Sequence, residues 1–84
     1  MGRAFPFTYH GRVLRISTIT VDEGWELWVC EGDRKVVCAA HVTVDEAVAG
    51  ARRGEDLIAV TAENTKLRVL SAELNLPLLD SQPP

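Results

Sequence analysis

From Arg12 to Val21 the chain is dense in β-branched residues: Val13, Ile16, Thr18, Ile19, Thr20 and Val21. Such side chains are stiff and pack well on a pleated surface, so the segment is predicted to be a strand. Asp22-Glu23-Gly24 then has the composition of a turn. Trp25 to Cys30 reads as a second strand, Glu31-Gly32-Asp33-Arg34 as another turn, and Lys35 to Val42 as a third strand. Connections this short force antiparallel neighbours, which gives a three-stranded meander. Upstream, Phe5, Phe7 and Tyr9 alternate along a possible short edge strand, where Pro6 is tolerated.

A two-residue turn at Gly32-Asp33 would pair Glu31 with Arg34 and set Trp28 against Val37. One face then carries Trp25, Leu27, Val29, Val36, Cys38 and Ala40, and is expected to be the core. The other carries Glu26, Trp28, Cys30, Lys35, Val37, Ala39 and His41. That second face is less polar than a solvated face should be. Trp28, Val37 and Ala39 are therefore the candidate interface residues. The alternative is that a helix or the N-terminal segment covers them.

Thr43-Val44-Asp45-Glu46 has the form of a capping box, with the Thr43 hydroxyl and the Glu46 carboxylate each reaching the other's backbone N–H. Val44, Ala47, Val48 and Ala51 follow at helical spacing, Arg52-Arg53 suit the negative end of the dipole, and Gly54 supplies the stop. Leu57 to Val60 is a short apolar run that reads as a fourth strand. Beyond it the pattern is open. As a helix capped by Thr61 or Asn64, the segment would carry a stripe of Leu67, Leu70 and Leu74 and stop at Asn75-Leu76-Pro77. As a strand, Leu67 and Val69 would pair back on Ile58 and Val60. The helix is favoured by its stop signal and by the propensity of Ser71-Ala72-Glu73-Leu74. Leu78-Leu79 could add a last short strand.

The expected fold class is therefore α+β, a three- to four-stranded antiparallel sheet with two helices in the order β-β-β-α-β-α. Residues 1–79 are read as a single small domain and residues 80–84 as a disordered polar tail.

Composition narrows the function classes. The chain has 84 residues, 46% of them hydrophobic and 25% charged, which suits one globular domain and not a disordered segment. The formal net charge is −3, so a nucleic-acid partner is not expected. No apolar run approaches the roughly 20 residues of a membrane span. Met1 to Tyr9 lacks the apolar core of a secretory signal, and no lipidation motif ends the chain. With only two cysteines there is no disulfide framework. A cytoplasmic location is expected.

Candidate chemistry is sparse. Cys30, Cys38, His10 and His41 are the available soft ligands. Regular alternation would point Cys38 and His41, three residues apart, to opposite faces, and would separate Cys30 from Cys38 as well. Neither a zinc site nor a disulfide is expected. The acidic pairs Asp22-Glu23, Asp45-Glu46 and Glu55-Asp56 fall at a turn, a helix start and a helix stop, where carboxylates are solvated. A hydrolase or nuclease would need a cleft gathering several of Asp22, Glu23, Glu63 and His41. Arg52, Arg53, Lys66 and Arg68 read as helix-end charges on a wet surface. No phosphate-binding glycine loop, nucleophile elbow or His-Glu-x-x-His motif occurs. No catalytic residue, metal or cofactor is assigned.

Gly24 to Gly54, with two strands, a turn and the helix start Thr43-Val44-Asp45-Glu46-Ala47, resembles the front half of a HicB-like antitoxin domain. The resemblance implies a regulatory component that binds a protein partner. Asp56 to Leu79 resembles the last strand–helix–strand of a PIN nuclease, with Glu63 near that family's metal-binding acid. The residues themselves point to a non-enzymatic protein-interaction module that binds itself or another protein.

Overall fold

The computed structural model describes residues 2–71. Four strands, β1 (Ala4–Tyr9), β2 (Arg12–Val21), β3 (Gly24–Glu31) and β4 (Arg34–Thr43), precede two helices, α1 (Val44–Arg52) and α2 (Leu57–Leu70). The strands form one antiparallel sheet in the order β1-β2-β3-β4. The α+β class and the antiparallel sheet are thus present, while the element order is β-β-β-β-α-α. The expected tail at 80–84, the stop at Asn75-Leu76-Pro77, the stripe member Leu74 and the strand Leu78-Leu79 lie outside the described residues.

Each hairpin is closed by backbone that its turn residues favour. His10 and Gly11 both adopt positive φ, at 51° and 75°, as a two-residue turn matching the strand twist requires. Gly32, at φ 61°, takes the first turn position between β3 and β4. Gly24 is required for space: a Cβ there would sit 2.1 Å from the Val42 carbonyl oxygen.

The core forms where one sheet face meets the helices. Phe7, Leu14, Ile16, Leu27, Val29 and Val42 from the strands pack with Ala62 and Val69 of α2. Thr43 closes the expected capping box: the Glu46 N–H donates to Thr43 Oγ1 at 3.1 Å, and the Thr43 N–H donates to Glu46 Oε1 at 2.9 Å. Only part of the α1 stripe is buried, since Ala47 packs on the core while Val44 and Val48 remain exposed.

Leu57 to Val60 is the first turn of α2 and not a fourth strand. Asp56 is the reason. Its Oδ1 accepts the Ala59 N–H at 3.2 Å, satisfying a donor that helix initiation leaves open. Arg3 clamps the same carboxylate at 2.9 Å, tying the start of β1 to the start of α2. The helix then buries Ala62, Thr65 and Val69, with Leu57 and Ile58 partly covered, and leaves Leu67 and Leu70 outside. The buried Thr65 hydroxyl is satisfied by donating to the Thr61 carbonyl at 2.8 Å. The PIN-like strand–helix reading loses its strand, and Glu63 sits exposed on α2, paired with Lys66 at 3.0 Å.

The β3–β4 register carries two irregularities. Glu31 opposes Arg34 as expected, but Val29 opposes Val37, Trp28 opposes Cys38 and Leu27 opposes Ala40. Val36 and Ala39 are the extra residues. A bulge sets two adjacent side chains against one partner. Accordingly Val36 with Val37, and Ala39 with Ala40, all pack toward the helical side. Strand β4 therefore presents Lys35, Cys38 and His41 together on its other side. The expected pairing of Trp28 with Val37, and the assignment of Val36 and Cys38 to a common face, are corrected by these bulges.

Candidate functional site

The helices cover one face of the sheet. On the opposite face the register aligns three rows across the strands. Pro6, Arg15, Cys30 and Lys35 form the first, Ala4, Ser17, Trp28 and Cys38 the second, and Ile19, Glu26 and His41 the third. Trp28 lies in the middle row and is half-buried, while α1 and α2 pack on the opposite face. Of the three candidate interface residues, only Trp28 is on this face. Val37 and Ala39 belong to the apolar doublets turned toward the core.

The side chains around Trp28 hold one another. Its indole N–H donates to Glu26 Oε1 at 3.0 Å. The other carboxylate oxygen, Oε2, faces His41 Nε2 at 3.5 Å. The Lys35 ammonium lies 5.2 Å from the centre of the Trp28 ring, within cation–π range. The indole hydrogen bond, more than the His41 contact, holds the Glu26 carboxyl below its ordinary value, against an opposing contribution from partial desolvation. Burial, reinforced by the Glu26 charge, pushes the Cys38 thiol up. Cys30 is nearly fully buried beneath this layer, with its Sγ 3.9 Å from the Trp28 carbonyl.

Cys38 and His41 therefore share a face, contrary to regular alternation, because Ala39 is inserted between them. The Cys38 sulfur, a His41 ring nitrogen and a Glu26 oxygen all lie within 4.8 Å of one another. Among the described residues this is the sole group of three or more potential metal-ligating side chains so close together. The acids expected of a hydrolase do not converge. Asp22 and Glu23 flank a shallow depression with Thr43, Val44 and Asp45 at the β2–β3 turn, and Glu63 lies on α2. The basic residues singled out on the helices include two in local pairs, Arg53 with Glu55 and Lys66 with Glu63. No helix among the described residues is long and apolar enough to cross a membrane.

The sequence did hold a signal for the cluster. In Lys35-Val36-Val37-Cys38-Ala39-Ala40-His41 the apolar residues come in doublets, so the remaining residues recur every third position. Two bulges convert that period into one face. No family model, curated protein or solved structure matched the chain in comparisons with known proteins.

Proposed function

We propose that the protein is a non-enzymatic interaction module that self-associates through its uncovered sheet face. The carrying observation is that, among the described residues, both helices pack on one side of the four strands and no element packs on the other, where Trp28 lies near the middle. The sheet edges are poor alternatives. Bulges at Val36 and Ala39 break the ladder of β4, and Pro6 removes a donor from β1.

Charge placement favours a second copy as the occupant. Arg15 and Lys35 lie in the row on one side of Trp28, and Glu26 lies in the row on the other. A two-fold axis along the Trp28 row sets each basic row over the partner's Glu26, an isologous contact. Four strands spaced about 4.8 Å apart and roughly 8 residues long, at about 3.3 Å each, present about 500 Å² in projection. Two such corrugated faces would bury on the order of 1,000–1,500 Å², which reaches the range of specific interfaces.

Sedimentation equilibrium in the presence of a chelator tests this. The wild type should dimerise. Ser17→Arg and Trp28→Glu, both in the middle row, should each yield folded monomers with unchanged far-ultraviolet circular dichroism. A wild type that stays monomeric at hundreds of micromolar overturns the proposal, as does a dimer that survives both substitutions.

A further inference from the structure

Glu26, Cys38 and His41 offer a carboxylate, a thiol and an imidazole, the three donor types that zinc accepts in proteins. In a tetrahedral site, Zn–N and Zn–O bonds of about 2.0–2.1 Å set those two donors roughly 3.3 Å apart. His41 Nε2 and Glu26 Oε2 already stand at 3.5 Å. A Zn–S bond of about 2.3 Å places sulfur roughly 3.5 Å from each of the other donors. All three ligand atoms lie within 4.8 Å of one another, so the adjustment the site requires is on the order of 1 Å, a scale that side-chain torsions supply.

Two further features support the geometry. Trp28 occupies Glu26 Oε1 and leaves Oε2 turned toward His41, as an outer-shell partner does when it orients a ligating carboxylate. The site is also reachable, because the His41 side chain is 66% exposed. We infer that Glu26, Cys38 and His41 form a three-ligand site for a zinc-type divalent cation on the uncovered sheet face, with the fourth coordination position open.

On binding, the Cys38 S–H bond breaks, the sulfur becomes a metal-bound thiolate, and the proton leaves to solvent. The neutral His41 ring contributes a nitrogen lone pair and Glu26 a carboxylate oxygen. Affinity should therefore rise with pH as proton competition at sulfur falls. The mixed thiolate–imidazole–carboxylate set suits zinc and its cobalt surrogate better than magnesium or calcium, which prefer oxygen alone.

The site does not rest on self-association, and the experiment separates the two. Untagged Ser17→Arg protein is titrated with Co²⁺ under reducing conditions, then challenged with Zn²⁺. One equivalent of Co²⁺ should produce thiolate-to-metal charge-transfer absorption and the intense visible bands of a four-coordinate ion, and Zn²⁺ should bleach both. Cys38→Ser should abolish the charge-transfer band. His41→Ala and Glu26→Gln should each weaken binding by more than the 10- to 100-fold typical of losing an outer-shell partner, and Trp28→Phe by about that amount. Cys30→Ser and His10→Ala should bind as the parent does. Absence of the charge-transfer band in the parent overturns the inference, and so does its persistence in Cys38→Ser.

Discussion

The face that α2 turns inward can be tested by comparing two truncations two residues apart. Val69 is fully buried at 0% exposure, whereas Leu67 is 52% exposed. Val69→Ala removes two carbon groups from the core, costing about 1.6 kcal/mol at ~0.8 kcal/mol each. A residual cavity of roughly 50 Å³ adds about 1 kcal/mol at ~24 cal/mol per Å³. The higher helix propensity of alanine returns about 0.5 kcal/mol. The net loss is about 2 kcal/mol, which for a domain of this size lowers the melting temperature by roughly 8–16 °C. Leu67→Ala removes a larger side chain, but half of it is already wet and no closed cavity forms. Its cost should be about 1 kcal/mol or less. Thermal and urea unfolding followed by circular dichroism measure both. If Leu67→Ala costs as much as Val69→Ala, the leucine stripe is packed and the inward face has been misplaced.

Two further outcomes follow from local contacts. Thr43→Ala removes the hydroxyl that accepts the Glu46 N–H, while the bond from the Thr43 backbone N–H to Glu46 stays available, and should cost about 1 kcal/mol, most of it restored by Thr43→Ser, as read by urea denaturation. The Glu26 carboxyl is depressed by the Trp28 indole. Its contribution is therefore complete above the unfolded carboxylate value of about 4.3 and is lost as pH falls through the lower folded value. Trp28 emission should change in that acid window, and Glu26→Gln should remove the transition; an identical titration in Glu26→Gln would show that Trp28 reports another group.

Much of the sheet was determined locally. β-Branched runs, two-residue turns at His10-Gly11 and Gly32-Asp33, and the Thr43–Glu46 box each encode their structure within a few residues. Arg12–Val21 emerges as a strand with the bounds its composition implies. Where competing local signals were nearly balanced, contacts distant in sequence decided. Leu57–Val60 suits a strand by composition, yet it is helical. Asp56 caps it, Arg3 holds Asp56 from 53 residues away, and Ile58, Ala62 and Val69 find the sheet while the more conspicuous leucines do not.

The candidate site divides along the same line. Trp28 stands out in the sequence because a large aromatic on the second face needs either a cover or a partner. That Cys38 and His41 join it depends on the register of β4. A one-residue insertion in a strand reverses the facing of everything beyond it. The Val36-Val37 and Ala39-Ala40 doublets carry that information, but it acquires meaning only when Val29 and Leu27 of the neighbouring strand each accept two side chains. Sequence by itself determined the strands, the turns and the first helix, because hydrogen bonds and dihedral preferences there are satisfied among neighbours. Tertiary structure alone decided the bulged register, the inward face of α2 and the meeting of Glu26, Cys38 and His41, because each depends on packing between segments far apart in the chain.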